Sequence, residues 1–421
     1  MFFHFVKKGD TVSRLSRQYN VPMNRIIADN NLEEPYSLVV GECLIIRPKT
    51  RVYIVKPGDT IDKIAEKFSI PGEQLIKDNS ISDPTRIQIG TRLVLNYDNS
   101  DKKAIIANGF CYQGITNSTL NKELPSLSYV SPFAYRIGNE GNLIALDDSR
   151  IIQKANDYDT EPMLVVANVK ETGGFSTDLS TRILRTPSVQ DTLIGEINQT
   201  IRRKGYKALC IDFEYVDEDD KKNYADFLSR VKSGIDVPLF VALAPKISDQ
   251  QTGRLYTAHD YYAIGNIADY VILMTYEWGY TYGEPMPVAP LNQVKNVIRY
   301  AKSKIDVGKI IMGIPNYGYD WTLPYQKGTK AESLSNVDAI ALAKKYNSEI
   351  RFDSTSQTPY FHYKKDSKTH VVHFEDACSV NAKFNLVLDE NLRGISIWTI
   401  TTYFPQLYLL IDEYFEVKNN S

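Results

Sequence analysis

The chain has 421 residues, 43% hydrophobic, 11% aromatic and 24% charged, with 49 Lys plus Arg against 51 Asp plus Glu for a formal net charge of −2. This length predicts two to four domains, or one large barrel with attachments, and the composition excludes a collagen, a disordered tail and a disulfide-rich miniprotein. The balanced charge argues against a nucleic-acid partner, which needs an excess of cations, and no run of 18 apolar residues predicts a membrane span. At the start, apolar residues precede Lys7 and Lys8, the reverse of a secretory leader, so no cleavable signal is expected. Tyr is abundant, 28 against 16 Phe and 3 Trp, and its flat face with a polar rim suits sugar surfaces.

Residues Val6-Lys7-Lys8-Gly9-Asp10-Thr11 recur as Val55-Lys56-Pro57-Gly58-Asp59-Thr60, an offset of 49 that also pairs Asn30 with Asn79 and Gly41 with Gly90. Two copies of one module are therefore expected over residues 2–48 and 51–97. Each reads as a strand, a Gly-Asp turn, a helix capped by Thr11 or Thr60, a second helix (Met23 to Asp29; Gly72 to Asp78) and a closing strand. The four cysteines, Cys43, Cys111, Cys210 and Cys378, are scattered without a Cys-x-x-Cys pair and are expected to be free thiols.

From about residue 100 strands and helices alternate, the pattern of a parallel sheet with crossover helices. Predicted strands are Ala104–Cys111, Leu127–Tyr135, Pro162–Val169, Lys207–Phe213, Pro238–Ala244, Tyr270–Thr275, Lys309–Pro315 and Gly394–Ile400. Helices are predicted near 148–157, 188–204, 219–233, 256–267, 290–304, 336–346 and 379–390, with a last one after Pro405. Eight such units predict a (β/α)8 TIM barrel over 100–421, α/β in class. The long interval 317–393 is expected to hold a small α+β insertion, with Pro359–Lys364 and Thr369–Phe374 as a hairpin.

Working residues of a barrel project from the carboxyl ends of its strands. Strand four ends Cys210-Ile211-Asp212-Phe213-Glu214, and alternation aims Cys210, Asp212 and Glu214 into the mouth. Two carboxylates side by side cannot flank a sugar from opposite faces, as a paired acid and nucleophile must. That geometry favours a nucleophile supplied by the substrate, with Glu214 as proton donor. Asp217, Glu218, Asp219 and Asp220 read as the cap and first turn of the next helix. Cys210 reads as a small buried neighbour, and His362, His370 and His373 as part of a solvated hairpin. No metal and no cofactor are expected.

Strand six ends Met274-Thr275-Tyr276-Glu277-Trp278, strand seven runs through Pro315 into Asn316-Tyr317, and strand eight carries Ile397-Trp398. With the Asp-x-Glu of strand four, this set resembles glycoside hydrolase family 18, the chitinase-like retaining glycosidases. The repeated module resembles the LysM domain, which binds N-acetylglucosamine-containing glycans such as peptidoglycan and chitin. The combination, with Thr275 to Tyr280 and Pro287-Val288-Ala289-Pro290, is similar to the spore cortical-fragment-lytic group of β-N-acetylglucosaminidases that act in germination. The family pattern Asp-x-x-Asp-x-Asp-x-Glu would place aspartates where Lys207 and Cys210 stand, so only its last two acids are present.

The resemblance implies hydrolysis with retention, the substrate's acetamido oxygen attacking the anomeric carbon. Glu214 would protonate the leaving oxygen and then activate water, Asp212 would hold the acetamido N–H, and Tyr276 would aim the acetamido oxygen. Trp398 would floor the sugar, with Tyr317, Glu277, Trp278 and Trp321 around it. It further implies a spore coat or cortex location, reached from the mother-cell cytoplasm without a secretory signal, with the LysM pair holding insoluble wall. A chitinase, or a catalytically weak glycan-binding coat protein, remains the alternative.

Overall fold

The computed structural model describes residues 1–47, 51–68, 70–79, 81, 83–95 and 102–417. Each N-terminal module is a two-stranded antiparallel sheet, Phe2–Phe5 with Cys43–Ile46 and Arg51–Ile54 with Arg92–Leu95, closed over two short helices. The Gly-Asp-Thr signature has a physical reason. Gly9 and Gly58 turn the chain at φ +87° and +84°, and Asp10 and Asp59 accept the N–H of Lys7 and Lys56 at 2.8 and 2.7 Å. Thr11 and Thr60 then cap their helices through the N–H of Arg14 and Lys63. Asn30, buried, and Asn79, half-buried, tie helix to closing strand. Each amide donates to two carbonyls and accepts one N–H, Ile26, Ile45 and Ile45 in the first copy, Leu75, Val94 and Val94 in the second.

Eight parallel strands follow: 103–111, 129–132, 161–167, 208–212, 239–243, 270–273, 310–315 and 394–398. Each pairs with the next, and the eighth returns to the first through Gly394 to Trp398 opposite Ile106 to Phe110, so the barrel is closed. Alternation divides the core. Ile106, Tyr129, Val165, Cys210, Phe240 and Ile272 fill the interior, whereas Ile211, Phe213, Val241 and Val271 pack outward beneath the helices. A polar layer inside the barrel is satisfied internally: Asn108 donates to Ser396 and accepts from Ser131.

Between strands seven and eight lies a five-stranded antiparallel sheet, ordered 332–334, 318–323, 368–373, 358–365, 351–353, with the helix Asn336–Lys345. The predicted hairpin forms its last-but-one pairing, Tyr360 opposite His373 and Tyr363 opposite His370. His370 bonds Asp320 at 3.0 Å, and His373 stacks on Tyr360. Helices Asn117–Glu123 and Thr177–Arg185 are additions to the sequence reading, both shorter than the periodicity window that betrays a helix.

Two of the four cysteines depart from expectation. Cys43 and Cys378 form a disulfide across 335 residues of sequence, whereas Cys111 and Cys210 are free and buried. The first module lies directly on the barrel, and this docking, invisible in the spacing of cysteines, brings the pair together. Ile350 N–H donates to Val40 O at 2.9 Å, and Val39 joins the apolar cluster of Ala339, Ile350 and Phe361 in the insertion. Asp29, buried, accepts from Arg25 and Arg47, and these arginines reach on to Asp78 of the second module and Glu413 of the last helix. Among the described residues no helix is long and apolar enough to cross a membrane.

Alkylating the denatured, unreduced protein is expected to label two cysteines, Cys111 and Cys210, and four after reduction. The Cys43→Ser/Cys378→Ser double variant should lose about 2–4 kcal/mol in denaturant titration, because the unfolded chain regains the freedom that this long closure removes.

Candidate active site

The end of strand four is fixed from three sides. Asn168, at the end of strand three, accepts Glu214 N–H at 3.0 Å and donates to Glu214 O at 2.8 Å, while its amide also reaches Ser176 O. Thr177 Oγ1 donates to Tyr215 O at 2.6 Å, where the backbone turns to φ +53°. His259, fully buried, accepts Ala244 N–H on Nδ1, so its Nε2 carries the proton given to Phe213 O at 2.9 Å. Burial pushes that imidazole down to about 4, which keeps it neutral and preserves this tautomer.

On this base stand the two predicted acids. Asp212 is buried and its Oδ1 has no hydrogen-bond partner. Desolvation raises its pKa above the usual carboxylate range. Glu214 is half-buried and is also raised well above its ordinary value, first by desolvation and then by the charges of Asp212 and Glu277. Desolvation and the neighbouring like charge make single protonation of the pair the favoured state. Cys210 lies one step deeper, its thiol raised by burial and by Asp212, which makes it inert as a nucleophile.

Tyr276 arrives from strand six. Its phenol is buried among the same acids, and burial first, then Asp212 and Glu214, holds it firmly protonated. Its ring crosses the backbone of strand seven at Gly313, where a Cβ would stand 2.8 Å from Tyr276 Cε1 and 2.6 Å from Leu273 O. Trp398 lies 6.5 Å away, nearly parallel to Tyr276, and packs edge-on against Phe133, Phe110 and Tyr112 at 4.8, 5.4 and 5.9 Å. Asn316 seats the strand-eight loop by donating to Thr399 O and Thr402 O, while its own N–H donates to Trp398 O.

Glu277 has φ +67°, a left-handed conformation that costs a non-glycine residue about 1–2 kcal/mol. Tyr317 and Tyr319 hold it there, both hydroxyls donating to Oε1, the latter at 3.0 Å. Glu277, Tyr317, Tyr319, Tyr112 and Trp398 border a cavity of about 440 Å³ that reaches Ser333, Ser335 and Asp338 of the insertion. The structure thus brings Asp212, Glu214, Tyr276, Glu277, Tyr317 and Trp398 together. Trp321 corrects the sequence reading: it is 1% exposed and donates to Gly283 O beneath the insertion, so it cannot touch a substrate. Trp278 is half-buried against the main core, its N–H on Val288 O.

Tyr112, Phe133 and Asn168 were missed. Each follows the end of one of the first three strands, so the strand-end rule applied there too would have found them.

The chain matches the family described as glycosyl hydrolases family 18 over residues 139–402, and the LysM domain over 4–47 and 53–96. It is 42% identical over 430 residues to the cortical fragment-lytic enzyme of Bacillus subtilis (strain 168), covering 99% of each chain. Its identity to the cortical fragment-lytic enzyme of Bacillus cereus is 43% over 423 residues, covering 98% of each. In three dimensions it superimposes on the Bacillus cereus spore cortex-lytic enzyme SleL with a TM-score of 0.85 and 36% identity, over 99% of this chain and 98% of that one. This chain belongs to glycosyl hydrolases family 18, and is a glycoside hydrolase with two LysM domains ahead of its barrel.

Proposed function

We propose that the protein is a retaining β-N-acetylglucosaminidase that cleaves glycan fragments of spore-cortex peptidoglycan by substrate-assisted catalysis. One observation carries the mechanism: Asp212 and Glu214 sit side by side on one strand end, next to Tyr276, on which Trp398 stacks, rather than across a sugar from each other. A separate nucleophile and acid would need opposite faces. Glu277 is the other carboxylate whose charge reaches Glu214, but two tyrosine hydroxyls occupy its Oε1, which suits a binding role.

In this reading the sugar rests on Trp398 with its acetamido group between Asp212 and Tyr276. Glu214 protonates the leaving glycosidic oxygen as the acetamido oxygen closes on the anomeric carbon. Asp212 stabilises the positive charge that develops on the acetamido nitrogen, and Tyr276 donates to the attacking oxygen. Glu214, now ionised, takes a proton from water, which opens the oxazolinium ion and restores the acid. Tyr317, Glu277 and the adjoining cavity bind a neighbouring sugar.

The cortex as substrate is supported by the relatives' full-length similarity, and the modules over 2–48 and 51–97 supply a hold on the glycan. The same relatives support a spore location; within it we infer a place in the coat or cortex after synthesis in the mother cell. The expectation of thiols throughout no longer supports that route, since the Cys43–Cys378 bond needs an oxidising step, which deposition outside the cytoplasm provides.

Glu214→Gln is expected to lower turnover by a factor on the order of 10² or more while glycan binding persists. Near-normal turnover would remove Glu214 from the acid role. Asp212→Asn and Tyr276→Phe should each lower kcat more than they raise KM, because both act on charge formed in the transition state; a change in KM alone would argue for a two-carboxylate mechanism.

The raised acids also set the pH profile. Activity needs Glu214 protonated, so its raised pKa carries the alkaline limb of kcat/KM above the ordinary carboxylate range. Glu277→Gln removes a negative charge that favours the protonated form, and the alkaline limb should move to lower pH. An unmoved limb would mean that another group titrates there.

A further inference from the structure

The junction between the first module and the barrel holds a donor set that its disulfide alone does not explain. Cys43 stands on the closing strand of the module, and Asp376 and Cys378 are the N-cap and first turn of the helix Ala377–Asp389. Both sulfurs and a carboxylate oxygen of Asp376 lie within 4.8 Å of one another, the one such trio of metal-ligating side chains among the described residues. The internal repeat shows that a module does not need these groups for its own fold. At the offset of 49, Glu42 and Cys43 correspond to Thr91 and Arg92, both exposed in the second module. In the first module they meet the barrel, and Glu42, Cys43 and Asp376 line one pocket there.

Asp376 is the group left over. It caps the helix through Oδ1, which accepts Ser379 N–H at 2.8 Å, a task that Asn or Ser performs as well. Its Oδ2 is buried without a hydrogen-bond partner, in a residue 4% exposed, and burial raises the carboxyl to about 7. The adjoining acid, Glu375, is matched by Lys383 at 2.7 Å, whereas Asp376 forms no ion pair among the described residues. A neutral S–S bond gives a buried carboxylate no counter-charge; a cation held by the same two sulfurs does.

Cysteines are reduced when a chain is synthesised, so Cys43 and Cys378 are thiols before they are a disulfide. Cys378 then sits at the positive end of a 13-residue helix, which favours its thiolate. Tetrahedral zinc sets its sulfurs about 3.8 Å apart and sulfur from carboxylate oxygen about 3.5 Å apart, so the three donors need only small side-chain rotations. Glu42 is the further carboxylate of the pocket available for the fourth position.

We propose that in the dithiol form Cys43, Cys378 and Asp376 bind a thiophilic divalent cation of the Zn²⁺ class, which clasps the first module to the barrel. The disulfide form lacks both sulfur ligands and binds none, so metal and S–S bond are alternative clasps at one place. The inference is independent of the glycan that the enzyme cleaves.

Cobalt titration of the full-length chain tests it, the protein being purified under reducing, oxygen-free conditions and stripped of metal. A thiolate-to-cobalt charge-transfer band with the intense visible bands of a tetrahedral ion is expected, saturating at one Co²⁺ per chain and displaced by Zn²⁺. The disulfide-bonded chain should give neither band, and Zn²⁺ should raise the Tm of the reduced chain alone. Cys43→Ser/Cys378→Ser should abolish the signal, whereas Cys111→Ser/Cys210→Ser should keep it. Asp376→Asn retains a capping side chain and should still form the disulfide on oxidation, but in the reduced state it should bind Co²⁺ at least about tenfold more weakly. No charge-transfer band in the reduced chain, a band that survives Cys43→Ser/Cys378→Ser, or equal binding by the disulfide-bonded chain would each overturn the proposal. Unchanged affinity in Asp376→Asn would overturn it too, by reducing the site to two thiols.

Discussion

Two carboxylates held on one face of one strand end, one buried and the other half-buried, impose the constraint around which the rest of the site is arranged. Taking an ionised carboxylate from water costs several kcal/mol, and a second like charge beside it raises that cost. The barrel meets it by letting the pair keep a proton, which is the state a general acid requires. The backbone under the pair then has to be immobile, since a strand end free to shift would move Glu214 toward solvent. Asn168, Thr177 and His259 supply that immobility through side-chain contacts to three consecutive residues, 213 to 215. His259 does so as a neutral ring, so no further charge enters the mouth.

The same economy explains how Tyr276 and Trp398 stand. Both lie at the ends of strands whose neighbours make room or give support, Gly313 beneath the phenol and Asn316 beneath the strand-eight loop. Each acts by placing another residue, and a larger residue at 313 would displace the tyrosine rather than alter the chemistry.

The barrel was legible because every strand combines an apolar run with a turn and a following amphipathic helix, and the modules because one was copied onto the other. Asp212, Glu214 and Tyr276 were legible because strand alternation and the strand-end rule act over a few residues. What escaped depends on contacts between distant segments. Cys43 and Cys378 are unremarkable as isolated letters, and only the docking of Val39 and Val40 on the insertion makes them neighbours. Trp321 looked like a subsite aromatic because it lies with Tyr317 just past the end of strand seven, yet the sheet it belongs to buries it, its indole N–H donating to Gly283 O. Alternation tells which side of a strand a residue faces, but the occupant of that side is decided by packing.

The inserted sheet joins the two ends of the molecule. Its first strands carry Tyr319 and Ser333 to the rim of the cleft, and its last, 351–353, lies against the first module. Five strands at about 4.8 Å spacing place these edges about 19 Å apart, joined by continuous backbone hydrogen bonds. A LysM module on a flexible linker would raise local substrate concentration with no preferred direction. Mounted on the sheet that walls the cleft, the first module has a fixed distance and orientation to the acids. The second module, linked through Arg25 to Asp78 and through Lys77 to Asp412, keeps its equivalent face in solvent. Two copies of one sequence therefore do different mechanical work, because only one of them has a barrel insertion within reach.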